Sequence, residues 1–381
     1  MAIKFSKLDT VVFGIAAFCL LGVALAAIVS DPARQPIRVA YLYPATSSPQ
    51  NVWVAEVDNP DAQAQVTFSE YGVYDFDFSP DGDWLAFSER SDTGIVSLRL
   101  MDMRDSRVMD LVACEAQDAY CTTPVFSPDG SRLAYQRSES LNGNYGFSRI
   151  WLVDMTSVAF ETAQLIADTR VVGHSPAWAA NGNTIAFYSS DVREPGILIF
   201  DFVPPAGSEA QLRFIPSSHG AMGTISPNGQ RIIFPEIALR GEQFFTHLRI
   251  ADLRDKTFAA FTDPEGPTDD ANARWNPDGQ TVALARRYTD SRWTAGHQLY
   301  LRSASDVDEA LVPILHDERY STSYFRWDQT GKRLVMQRFP MAAGKGAARR
   351  QSVPEIWTYD LVSGASRKIA ENAFLPQWAG A

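Results

Sequence analysis

The chain has 381 residues, 45 % of them apolar and 21 % charged, the balance of an ordinary globular protein able to bury a large core. Its formal net charge of −11 repels phosphate backbones and argues against nucleic acid as a partner.

Hydropathy departs from this average only at the start. Residues 10–29, TVVFGIAAFCLLGVALAAIV, form a run of 20 uncharged residues, long enough to cross a hydrocarbon core as a helix. Lys4 and Lys7 precede the run, so the positive-inside rule puts residues 1–9 in the cytoplasm and the rest of the chain outside it. A cleaved signal peptide is the rival reading, since Ala24-Leu25-Ala26 has the form of a cleavage site. Cys19 follows AAF and does not sit in a lipobox. Residues 1–36 carry Lys4, Lys7 and Arg34 against Asp9 and Asp31, a net +1, which leaves −11 − 1 = −12 on residues 37–381. The organisation expected is therefore an anchor at 10–29, a linker at 30–36 and a single-pass membrane protein whose main domain, 37–381, is extracytoplasmic.

That domain opens with VAY at 39–41, followed by two further strand-like runs, NVWVAEVD at 51–58 and QVTF at 65–68. FSPDG then occurs at 78–82 and again at 126–130. Looser copies end at Gly182, Gly229, Gly279 and Gly331, so successive glycines are 48, 52, 47, 50 and 52 residues apart. An aromatic or Ile stands four residues before each Gly: Phe78, Phe126, Trp178, Ile225, Trp275 and Trp327. A short apolar run follows each Gly, such as LAF at 85–87 or IIF at 232–234. Asp-Gly or Asn-Gly between two apolar runs is a hairpin signal, because Gly supplies positive φ without a steric penalty. A third run ends near Asp (IWLVD at 150–154, IWTYD at 356–360) and a fourth, shorter one comes next. Four short strands every 40–50 residues describe one blade of a β-propeller.

The chain ends with FLPQWAG at 374–380, which matches SPAWAANG at 175–182 but stops before the turn. Its last strand is thus expected to complete the blade that the first strands begin. The 345 residues of the domain divided by seven give about 49 each, so the fold expected is all-β, a seven-bladed β-propeller with N- and C-terminal strands in one shared blade. Such closure removes exposed sheet edges. Asp75, Asp77, Asp81 and Asp83 imitate a calcium loop, but strand alternation and the turn role of Asp81 explain them better. Cys114 and Cys121, in CEAQDAYC, are expected to form a disulfide in an oxidising compartment.

The wording F-S-P-D-G-x-x-L-A-[FY] at 78–87 and 126–135 resembles the repeat of TolB-type propellers and of the propeller domains of prolyl-oligopeptidase-type peptidases. The resemblance implies the fold over 37–381; it implies no function, because one fold hosts many activities. It is also incomplete. TolB-type proteins carry a preceding α/β domain and a six-bladed propeller, and the peptidases need a hydrolase domain, whereas this chain contains no G-x-S-x-G.

Strand direction sorts the loops. The Asp-Gly turns share one face with the turns after each third strand. The loops leading into each first strand share the other face with the hairpins joining strands two and three. This second, long-loop face holds the more varied segments, 138–148, 286–297 and 338–354, and is where binding is expected. Its candidate residues are His174 and His219, which precede first strands in neighbouring blades; Glu265, Asp269 and Asp270 in an acidic loop; and Lys345, Arg349 and Arg350 in a basic one. Metal at the histidines is the reading suggested by the histidine-rich mouths of oligogalacturonate-lyase-type propellers, but surface or hydrogen-bonded histidine is the simpler account. The acidic loop could take a cation or a cationic substrate, though such a loop is more often simply solvated; the basic loop could equally contact an anionic partner or lipid headgroups or be a disordered tip. The recurrent Trp178, Trp275, Trp327 and Trp378 are expected to fill the space between blades. With no catalytic motif, metal or cofactor signal, the function expected is a membrane-anchored scaffold that binds a protein or cell-envelope component. A propeller lyase or hydrolase, and a structural subunit of a membrane complex, are the alternatives.

Overall fold

The computed structural model describes residues 36–380 apart from 115–119, 142–143, 158, 169, 192, 205–210, 306–309 and 342–351. The anchor expected at 10–29 and the basic loop residues Lys345, Arg349 and Arg350 lie outside the described residues. Among the described residues no helix is long and apolar enough to cross a membrane.

Each repeat folds as an up-and-down meander of antiparallel strands. The second strand of each is buried on both faces: Leu85, Ala86 and Phe87, then Leu133, Ala134 and Tyr135, through to Leu334, Val335 and Met336. This is why these segments read as continuous apolar runs rather than as alternation. Side chains of facing sheets interdigitate; Ala86, Leu98 and Leu100 of one meander pack with Leu133, Tyr135 and Val153 of the next.

The all-β propeller expected from the repeats is the fold observed, with a difference in how its sheets divide. Five sheets of four strands stand separately, and a sixth has eight strands. The larger sheet consists of the meanders 73–112 and 120–164, joined through a single parallel pair, Val96 and Tyr120. The reason lies beside that pair. Cys114, after the last strand of the first meander, is bonded to Cys121 in the first strand of the second, with 6.3 Å between Cα atoms. The disulfide expected from the sequence is present, and it draws Tyr120 against Val96.

The ends of the chain meet as expected. Phe374–Trp378 pairs antiparallel with Arg38–Tyr43, and Asn51–Glu56 and Gln63–Gln65 complete that sheet. The first strands of the repeats are the inner ones. Val73–Phe78, Tyr120–Phe126, His174–Trp178, Thr224–Ile225, Thr268–Trp275, Tyr320–Trp327 and Phe374–Trp378 each touch the next in that order. The Gln377 side chain then donates to the Phe76 carbonyl at 2.5 Å and returns the circle to its start.

The repeated motif has two structural uses. At the turn, the glycine holds positive φ, 75° at Gly82 and 71° at Gly130. The Ser127 hydroxyl accepts the Arg132 N–H at 3.0 Å and donates to the Asp129 carboxylate at 2.6 Å. Ser79 with Asp81 and Ser226 with Asn228 do the same. The aromatic is the second use, and it is more than filler. The indole N–H of Trp178 donates to the Val125 carbonyl, Trp275 to Thr224, Trp327 to Arg274 and Trp378 to Arg326, at 3.1–3.3 Å. Each Trp therefore straps its inner strand to the preceding one.

Candidate functional site

The long-loop face is built from hairpins that overrun their sheets. Arg231–Arg240 and Gln243–Asp252 pair all the way to a tight turn at Gly241, where φ is 62°. Near the tip Leu239 lies opposite Phe244 and Ile237 opposite Thr246, so Ile237, Leu239 and Phe244 share one side. That side faces solvent, with Leu239 62 % and Phe244 74 % exposed. The other side is braced. Arg240 stacks over the Phe245 ring at 3.9 Å and donates to the carbonyls of Gly266 and Thr268 in the neighbouring repeat. An arm fixed from behind thus holds an apolar patch in water.

His174 begins an inner strand. Its ring packs on Tyr188 at 5.4 Å, with Nδ1 3.0 Å from the Ser175 hydroxyl, and burial lowers its pKa. His219 is placed differently, with Nε2 3.5 Å from the Thr246 hydroxyl. Burial lowers its pKa too, opposed by the carboxylates of Glu236 and Asp269. Among the described residues no contact joins the two histidines, and no group of three or more His, Cys, Asp or Glu side chains is arranged to hold a metal.

Glu265, Asp269 and Asp270 do not form one acidic loop. Glu265 is exposed in a turn where its N–H donates to Asp263 at 2.9 Å. Asp269 and Asp270 lie on the inner strand Thr268–Trp275, directly across from Arg287 and Arg286. Asp270 is fully buried and takes two bonds from Arg286, 2.6 and 2.8 Å long. Asp269 accepts from Arg287 at 2.8 Å and from the Thr246 N–H at 3.0 Å, with His297 Nε2 3.5 Å away. Burial would raise the Asp269 pKa, but these partners together hold it at about 2. The expected acidic loop is corrected to two carboxylates on a strand, each paired with an arginine across from it, because those arginines lie 18 and 16 residues further on, in the adjacent strand.

Three residues at this place went unread in the sequence. His247, Glu236 and His297 come together with His219 and Asp269 between the 224–260 and 268–315 sheets. One signal was available, since His247 and Glu236 are cross-strand partners in an amphipathic hairpin.

A second grouping lines the axis. The residue before the aromatic of each repeat is Asp77, Val125, Ala177, Thr224, Arg274 and Arg326, with Gln377 before Trp378. Each inner strand except Thr224–Ile225 bears a register shift close to this position. Thr123, Ser175, Asn272 and Leu375, all three residues before the aromatic, take positive φ of 55°, 56°, 46° and 50°. Non-glycine residues in that region are strained, and bulges of this kind re-aim side chains. Here the result is an unequal ring. Asp77 accepts the Phe126 N–H at 2.9 Å and lies 3.8 Å from Arg326. Burial raises its pKa to about 6 against the pull of Arg326. Arg326 bonds the Tyr324 hydroxyl and keeps 41 % of its side chain accessible, so it lines a passage rather than a sealed core. Arg274 lies 5.9 Å over the Tyr324 ring and donates to its neighbour's carbonyl, Ala273, at 2.8 Å.

No known family profile matches the chain, and no curated protein matches it. Solved structures do. Puromycin hydrolase aligns with 90 % of this chain and 55 % of its own length, at 12 % identity and a TM-score of 0.61. An oligogalacturonate lyase in complex with manganese aligns over 88 % of this chain and 85 % of that one, at 14 % identity and a TM-score of 0.56. TolB from Acinetobacter baumannii is 21 % identical over 68 % of this chain, which spans 62 % of that protein, at a TM-score of 0.44. The propeller fold expected from the resemblance is therefore present, shared with the lyase and the peptidase structures. At these identities the likeness concerns the fold alone.

Proposed function

We propose that the chain is a membrane-tethered, extracytoplasmic propeller of seven blades whose long-loop face docks a protein or another envelope component. The eight-stranded sheet supplies two blades under this reading, bridged at Val96 and Tyr120. The observation that carries the proposal is the braced hairpin at 237–246. Its exposed Ile237, Leu239 and Phe244 contribute nothing to the ring's own core, and a rigid arm with an apolar side toward water is the form of a protein-docking anchor. Topology agrees with this use. Arg38, the first strand residue of the ring, lies on the turn face, where its carbonyl accepts the Ala379 N–H beside glycines 82 and 380, opposite the long-loop face.

The test is photo-crosslinking in native membranes from position 244, compared with position 362 on the turn face. The reading expects one discrete partner captured from 244 and lost on Leu239→Ser, with an unchanged circular dichroism spectrum. Equal capture from both positions, or capture indifferent to Leu239→Ser, refutes it.

A further inference from the structure

The axial ring divides into two arcs of opposite character. Gln377, Asp77, Arg326 and Arg274 are polar; Val125, Ala177 and Thr224 are small and carry no charge. All of these except Gln377 are half-buried, as residues along a narrow passage are. The charges do not balance. Asp77 is the carboxylate that reaches Arg326, at 3.8 Å, and it already accepts the Phe126 N–H. Among the described residues Arg274 has no carboxylate partner at all; its neighbours are the Ala273 carbonyl, the Tyr324 ring and the Arg326 guanidinium. A guanidinium enclosed by protein without an anion is costly, because its five donors are planar and cannot be neutralised by losing a proton. Burial and the second guanidinium both press on Arg274, lowering its pKa.

We propose that the axial passage is a binding site for a carboxylate with a short apolar body, its oxygens on Arg274 and its body against Val125, Ala177 and Thr224. Arg presents a fork that matches a carboxylate in two parallel bonds, and the opposite arc offers surface but no hydrogen-bonding charge. The bulges with positive φ at Thr123, Ser175 and Asn272 flank these positions and fix where their side chains point. The ligand chemistry is that of a small free acid or of the C-terminal carboxylate of a chain threaded into the passage. This site is independent of the docking hairpin.

The experiment is calorimetric titration of the full-length protein in detergent with acetate, pentanoate, inorganic phosphate, and acetyl-Ala-Val as the acid and as the amide. Saturable 1:1 binding of pentanoate, roughly tenfold tighter than acetate and weakened by about tenfold or more in Arg274→Met, is the expected result. The peptide acid binding more tightly than pentanoate, and the amide not at all, assigns the source to a chain terminus; the reverse order assigns it to a free acid. Ala177→Asp, which leaves Arg274 in place and sets a charge on the opposite arc, is expected to abolish binding, and covers the case in which Arg274→Met does not fold. Phosphate binding as tightly as pentanoate, or no saturable pentanoate binding to the wild-type protein, overturns the proposal.

Discussion

The two faces of the ring solve the same problem, ending strands without leaving backbone groups bare, in different ways. On the turn face one solution recurs in three repeats: a serine, Ser79, Ser127 or Ser226, caps the turn, an acid or amide two residues on receives its hydrogen bond, and a glycine closes it. In the three serine turns these partners lie within five residues. On the long-loop face one local arrangement also recurs, an Asp holding the Arg two residues on at Asp168, Asp290 and Asp317, but other contacts reach across strands and sheets. Arg240 crosses to another sheet to bond Gly266 and Thr268, Asp270 is held by Arg286, and Arg338 is buried between Tyr320 and Trp357 with Asp317 3.3 Å away. Local chemistry can be copied from repeat to repeat. Contacts across sheets have to be fitted one at a time, and that fitting is what makes a face specific.

This difference predicts where damage is severe. Asp270→Ala leaves Arg286 buried with its charge unpaired, and loss of one member of a buried pair costs about 3–5 kcal/mol. Urea denaturation should show the full loss, and the double variant Asp270→Ala/Arg286→Met should recover much of it. If the single variant lost no more than a turn-face substitution does, the contrast between the faces would fail.

The axis gives a prediction of a different sign. Asp77 has its folded pKa raised to about 6, so the folded ring holds this proton more tightly than the unfolded chain does. Its contribution is complete below about pH 4 and is lost as pH rises through about 6, a change of up to ~3 kcal/mol. Asp77→Asn removes that titration. The variant should gain on the wild type between pH 4 and 6 and keep a constant lead above, as read by urea midpoints at each pH. A lead independent of pH would show that Asp77 is charged throughout.

How much of this was legible in the sequence follows from the same distinction. Phe78, Gly82 and Leu85 announce a hairpin because the hairpin is made by those residues alone, and matching Pro376 and Trp378 with Pro176 and Trp178 was enough to expect closure. Asp269 and Asp270 misled because their partners, Arg287 and Arg286, stand in the next strand and look like loop charges until the register is known. The axial arc was hidden in another way. Asp77, Arg274 and Arg326 occupy one register position in three repeats, but only the closed circle brings Arg326 to 3.8 Å from Asp77 across the repeat between them.

The smallest effect is the sharpest test of modularity. Ser79, Ser127 and Ser226 each accept the N–H of the residue five positions on, at 2.9, 3.0 and 2.9 Å, and all three are buried. Replacing each in turn by Ala removes the same hydroxyl from the same geometry and should cost about 1 kcal/mol at every site. If the turns are interchangeable parts, the three losses agree within about 0.5 kcal/mol, and the double variants add, since sites with no shared partner are independent. Ser127→Ala is the variant to watch, because its turn directly follows the strand Tyr120–Phe126 that carries Cys121, bonded to Cys114 of the preceding meander. A loss there well above the other two would mean that the bridge couples neighbouring repeats down to their turns, and that modularity stops at the disulfide.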